Sequence, residues 1–134
     1  MTLFTWPVRI YWEDTDAGGV VYHANYVRFM ERARSEWLRA QGIDQLALSE
    51  NDGLGSVVRE MHLDFHRPAR LDDELAVSVV VKERRSASML FSQEIVRGDT
   101  TLVRATVRAA CVSLATMRPA QIPAGLFPQE FPIT

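Results

Sequence analysis

The segment Trp12-Glu13-Asp14-Thr15-Asp16-Ala17-Gly18-Gly19-Val20-Val21-Tyr22-His23-Ala24-Asn25-Tyr26, which continues to Leu38, changes periodicity partway along. A strand-like run, Val8 to Trp12, feeds a loop that carries three acids and two glycines. From Tyr26 the apolar residues fall at Tyr26, Phe29, Met30, Ala33, Trp37 and Ala40, the stripe of an amphipathic helix with one buried face. Arg28, Arg32, Glu36 and Arg39 lie off the stripe, Arg32 and Glu36 are spaced for an ion pair, and Gly42 stands where a helix stop belongs.

The loop ahead of that helix is where chemistry is expected. A helix N-terminus presents unpaired N–H groups and a partial positive charge. Gly18-Gly19 lets backbone approach a ligand closely, because no Cβ intervenes. Such a place can polarise a carbonyl oxygen, with Asp16 near enough to attack it or to deprotonate water. The competing reading of Asp14-Thr15-Asp16 is ordinary turn and capping chemistry. Glu13 and Asp14 either raise the pKa of Asp16 by like-charge proximity or are simply solvated.

Strand signals follow. Val57 to Phe65 alternates, with Glu60, His62 and Asp64 on a polar face and Pro68 ending the run. Leu75 to Lys82 and Ser88 to Arg97 alternate in turn, the latter placing Met89, Phe91 and Ile95 on one side. Gly98-Asp99 is a hairpin turn, and Leu102 to Leu114 is the longest strand, with Arg104, Thr106 and Arg108 on a solvated or partner-facing side. After Met117 prolines accumulate, through Pro128 and Pro132, and predict an irregular tail. Short links imply antiparallel neighbours, so the pattern predicts one long helix against a five-stranded antiparallel sheet, an α+β domain spanning residues 1–134.

Composition excludes several classes. Fifteen basic against seventeen acidic residues leave no excess of positive charge for nucleic acid or anionic membrane. No apolar run reaches the roughly 20 residues that span a bilayer, and the N-terminus shows no signal-peptide pattern. The single Cys111 rules out an internal disulfide and fits a reducing compartment, so a cytoplasmic location is expected. His62, Asp64 and His66 share one strand face at roughly 6.6 Å steps, but nothing accompanies them as a ligand set, and no metal or other cofactor is expected.

Tyr11 to Tyr26, followed by Phe29-Met30-Glu31-Arg32-Ala33-Arg34, resembles the signature of the 4-hydroxybenzoyl-CoA thioesterase family, nearest to its YbgC-like acyl-CoA thioesterases, whose genes often neighbour the Tol–Pal envelope system. The likeness continues at Arg67-Pro-Ala-Arg-Leu-Asp-Asp-Glu74 and Arg84-Arg85-Ser86 and so covers nearly the whole chain. The resemblance implies a hotdog fold, a long central helix wrapped by a curved sheet, assembled as a dimer or homotetramer. It implies hydrolysis of an acyl-CoA to a carboxylic acid and free CoA, with acyl carrier protein as an alternative carrier. The family's aspartate, nucleophile or general base, maps onto Asp16. Its oxyanion-binding backbone N–H maps onto His23, whose imidazole either orients Asp16, protonates the leaving thiolate, or has no duty.

Gly19, Tyr22 and Asn25 are the residues placed to shape the substrate and oxyanion pocket. Arg84, Arg85 and Ser86 match the family's contact to the CoA nucleotide, supplied here by the same or a neighbouring subunit, and otherwise read as a charged hairpin. Glu31, two turns into the helix, reads as a structural partner of a nearby arginine. A hotdog binding or scaffold protein for acyl carrier protein or envelope partners is the alternative in a different functional class.

Overall fold

Period-two alternation builds five strands in the computed structural model, which describes residues 3–127: β1 (Phe4–Arg9), β2 (Leu54–Phe65), β3 (Glu74–Arg84), β4 (Ser88–Arg97) and β5 (Thr100–Ser113). They form one antiparallel sheet in the order β1-β3-β4-β5-β2. β4 and β5 join through Gly98-Asp99, with Arg97 opposite Thr100 and Gly98 at φ +60°. Helix α1 (His23–Ala40) separates β1 from β2, which therefore occupy opposite edges. After it, a helical turn, α2 (Gln45–Ala47), runs on as a π-helical turn (Leu48–Asp52) into β2. Register shifts at Val58/Glu60, Val81/Glu83 and Ile95/Val96 mark bulges, which bend a sheet. A long helix against a five-stranded antiparallel sheet is the α+β hotdog architecture.

The core lies between α1 and the sheet. Phe29, Met30, Ala33 and Trp37 pack from the helix toward Leu75, Val77, Val79 and Val81 on β3, Phe91 and Ile95 on β4, and Val103 and Val107 on β5. Trp37 meets Phe91 edge to face, with ring centroids 5.5 Å apart. The helix stops as its sequence predicts. Gly42 sits at φ +84°, Ile43 N–H reaches the Leu38 carbonyl at 3.1 Å, and Gly42 N–H reaches Arg39 at 3.0 Å, a Schellman closure.

Several expectations change. The first strand is Phe4–Arg9 rather than Val8 to Trp12; Pro7 is tolerated because β1 is an edge, and Trp12–Asp14 is a single 3-10 turn that leaves Trp12 77% exposed. Ala40 is exposed, whereas Arg34 is buried. Glu36 pairs with Arg39, one turn on, rather than with Arg32. Arg108 is buried, not solvated, because Glu83 and Ser88 take its guanidinium at 3.1 and 3.2 Å. The tail to Phe127 is irregular apart from a bridge between Pro119 and Val112; Pro128 and Pro132 lie outside the described residues. Among the described residues no helix is long and apolar enough to cross a membrane.

Candidate active site

The loop before α1 is held by a residue that sequence reasoning treated as solvated or merely perturbing. Asp14 is buried, its Oδ2 accepting from Tyr11 N–H and its Oδ1 from Asn25 Nδ2, each at 2.9 Å. Its carbonyl accepts from Tyr22 N–H at 2.9 Å. One side chain therefore ties the segment that follows β1 to the first turn of α1. Asn25, expected to shape a pocket, is buried as its partner.

Between those anchors, Thr15 bridges Val21 and closes a small loop. Inside it Gly19 N–H reaches the Asp16 carbonyl at 3.0 Å, and Asp16 N–H reaches the Val20 carbonyl at 2.9 Å. Gly18 N–H donates to Asp16 Oδ1 at 2.8 Å, the side-chain turn that aspartate favours. Glycine is required twice here for different reasons. A Cβ on Gly18 would stand 3.1 Å from Asp16 Oδ1, while Gly19 has open space but a φ of +81°. The result is an exposed carboxylate with one oriented oxygen; Oδ2 carries no hydrogen bond among the described residues.

The helix starts shortly after this loop, at His23. Tyr22 is its N-cap and supplies no capping side chain, and neither His23 N–H nor Ala24 N–H has an intramolecular acceptor among the described residues. These are the open donors that the sequence placed there. The start is anchored by Val21 N–H to the Ala69 carbonyl at 2.9 Å and by Ala69 N–H to Tyr26 Oη at 3.0 Å. Burial raises the Tyr26 phenol pKa, so this acceptor stays neutral.

His23 is exposed, its ring edge to face with Tyr22 at 4.8 Å and with Phe65 at 6.3 Å. It makes no contact within 4.0 Å to the Asp16 carboxylate, so the structure does not show it orienting that group. Tyr22 is about half exposed beside it. Glu31, exposed on the helix, acts electrostatically on Arg34.

Asp16, Gly19, Tyr22 and His23 are thus brought to one loop and helix start; Arg84, Arg85 and Ser86 are not. The loop meets the Glu74 end of β3, where Ile10 N–H reaches the Asp73 carbonyl at 2.9 Å. The arginines lie at the other end of that strand, about 33 Å away at 3.3 Å per residue. There Arg85 pairs with Glu83, Arg84 lies over the Phe127 ring at 5.1 Å, and the Ser86 carbonyl accepts from Ile122 N–H at 2.7 Å. The Arg108 hydrogen bond holds the Glu83 carboxyl below its ordinary value, against slight desolvation and with help from Arg85. At the end of β2, Asp64 and His66, the residue just past the strand, approach to 3.5 Å, and among the described residues no three potential ligands gather for a metal.

The sequence profile of the thioesterase-like superfamily matches residues 10–129. The chain is 48% identical over 120 residues to the acyl-CoA thioesterase YbgC of Haemophilus influenzae, covering 90% of this chain and 88% of that protein. It is 48% identical over 123 residues to the acyl-CoA thioester hydrolase YbgC of Escherichia coli O6:H1, covering 91% of each. Among solved structures, a probable thioesterase from Bartonella henselae superposes with a TM-score of 0.86 at 36% identity, over 91% of this chain and 100% of that one.

Proposed function

The chain belongs to the thioesterase-like superfamily, and on that footing we propose that it hydrolyses the thioester bond of an acyl-CoA with Asp16 supplying the reactive oxygen. The observation that carries this reading is the exposed Asp16 carboxylate, aimed by Gly18 N–H, in a loop that leads into the open N–H groups of His23 and Ala24. A thioester needs both: an oxygen to attack or to activate water, and donors where negative charge develops on the carbonyl oxygen.

Two routes use the same groups. In one, Asp16 Oδ2 attacks the carbonyl carbon, the C–S bond breaks as the sulfur takes up a proton, coenzyme A leaves as its thiol, and water hydrolyses the acyl–aspartyl anhydride. In the other, Oδ2 takes a proton from water as the water oxygen forms the new C–O bond, and the C–S bond then breaks. In both, the helix start stabilises the oxyanion. The His23 imidazole, exposed at that start, serves as proton donor to the leaving sulfur. Tyr22 and Gly19 border the space the thioester enters.

Arg84 and Arg85, too distant from Asp16 of their own chain, serve a nucleotide held at the loop of a second copy. The open edge of β2 supports that assembly: Val58 and Phe65 are about half exposed there, and a second copy adding to the edge would cover them.

The test is thiol release from short, long and aromatic acyl-CoAs, wild type beside Asp16→Asn. Loss of the carboxylate is expected to lower kcat by about 10²–10⁴-fold with the circular dichroism unchanged. An Asp16→Asn variant with wild-type kcat refutes the assignment.

A further inference from the structure

A second buried polar element lies further along α1, and no step of the hydrolysis uses it. Arg34 is 7% exposed, and among the described residues its side chain makes one hydrogen bond, Nη1 to Gln93 Oε1 at 2.9 Å. Gln93 is itself fully buried and is held by donating from Nε2 to the Met30 carbonyl at 3.1 Å. Among the described residues no carboxylate lies within 4.0 Å of the Arg34 guanidinium. Burial pulls its pKa down, and the charge of exposed Glu31 acts the other way. A buried cation with one neutral partner is costly unless an anion completes it.

Arg34 lines a cavity of about 310 Å³, at the lower end of the range for small-molecule sites. Leu38, Leu48, Met89, Phe91 and Leu126 give it largely apolar walls. No fully buried side-chain nitrogen among the described residues lacks a partner, so the guanidinium nitrogens not bonded to Gln93 keep accessible surface, and Arg34 is one of the residues that line this space. None of the lining residues belongs to the Asp16 loop or to the first turn of α1. Arg34 follows His23 by eleven positions, about 16 Å along the helix.

We propose that this cavity binds a medium-chain aliphatic carboxylate, its carboxylate forked onto Arg34 and its chain lying along the apolar wall formed by β4, β5 and the tail. The chemistry selects that class. A planar guanidinium matches a carboxylate bidentately, one cation calls for one charge, and a small apolar chamber disfavours a strongly hydrated dianion. A neutral hydrocarbon would leave the guanidinium without a counterion. The ligand class coincides with the acid that thioester hydrolysis releases, but binding does not depend on that reaction, and the test reads binding alone.

The experiment is isothermal titration of the full chain with octanoate and, in parallel, with octan-1-ol. One octanoate per chain is expected, with octan-1-ol weaker by about tenfold or more, the loss of a charge-assisted pair. Arg34→Met is expected to weaken octanoate by about the same factor, and Arg34→Lys to retain part of the affinity. Ala109→Phe, which fills the cavity from β5 and leaves Arg34 in place, is expected to abolish binding. Thermal melts confirm that each variant folds; if Arg34→Met does not, the Ala109→Phe and octan-1-ol comparisons decide. Absence of octanoate binding at millimolar concentration, equal binding of octan-1-ol, or binding unchanged in Ala109→Phe overturns the proposal.

Discussion

Asp14→Ala is the perturbation that most directly probes how the loop is built. The wild-type carboxylate accepts two hydrogen bonds at 2.9 Å, one from Tyr11 N–H at the rim and one from buried Asn25 Nδ2. Hydrogen bonds to a charged group contribute about 1.5–3 kcal/mol each, and the donors left behind are poorly placed to recover water. Taking the rim bond at the low end and the buried bond near the high end gives a loss of about 3–5 kcal/mol, a large part of the 5–15 kcal/mol that holds a typical domain. Asp14→Asn keeps the shape but turns one acceptor into a donor facing a donor, so about half that loss is expected. Urea unfolding followed by circular dichroism gives the stabilities, and the double variant with Asn25→Ala isolates the pair, with an expected coupling of about 1.5–3 kcal/mol. Because the same carboxylate joins the segment that follows β1 to the first turn of α1, kcat for thioester hydrolysis is expected to fall in every variant that still folds. If Asp14→Ala unfolds within about 1 kcal/mol of wild type, or the coupling to Asn25 is near zero, the clamp is not what positions this loop.

Three further outcomes are expected. Burial alone would raise the Asp73 carboxyl, but Arg70 N–H at 2.9 Å and Arg97 at 2.7 Å outweigh it and hold it below the ordinary carboxylate range. A carboxyl depressed in the folded state stabilises above its unfolded pKa and loses its contribution as pH falls through the folded pKa; urea midpoints between about pH 5 and pH 2 should therefore drop less steeply in Asp73→Asn than in wild type. Gly18→Ala, whose Cβ would stand 3.1 Å from Asp16 Oδ1, should lower kcat by displacing the carboxylate, whereas Gly19→Ala meets no atom and should cost about 1 kcal/mol of stability through its φ of +81°; steady-state kinetics beside urea unfolding separates the two effects. Burial pushes the Cys111 thiol up, so a maleimide at neutral pH should label it slowly in the native chain and rapidly in urea.

Much of the fold was legible because it depends on local periodicity. The stripe from Tyr26 to Trp37, the Gly42 stop and the Gly98-Asp99 hairpin all appear where the spacing put them. The first strand was misplaced because Trp12 is apolar yet belongs to an exposed 3-10 turn, while Pro7, a strand breaker elsewhere, is harmless on an edge. Asp16, its glycines and the helix start were readable as a contiguous motif. The Asp14–Asn25 clamp was not. Asp14 three residues after Tyr11 fits a local turn pattern, but nothing in the spacing names a partner eleven residues on.

What the sequence determined by itself is whatever a run of neighbouring residues can specify: one helix, four of the five strands in outline, and a carboxylate between glycines and a helix N-terminus. The tertiary structure decided what depends on distant segments meeting. It placed β1 and β2 on opposite edges, put Arg84 and Arg85 at the far end of β3 from Asp16, and buried Arg34 against Gln93, fifty-nine residues away. The physical reason is that a polar group's burial is set by its partner. Arg34 reads in sequence like any arginine on a helix flank; only the packing of α1 over β4 encloses it with one amide and an apolar chamber.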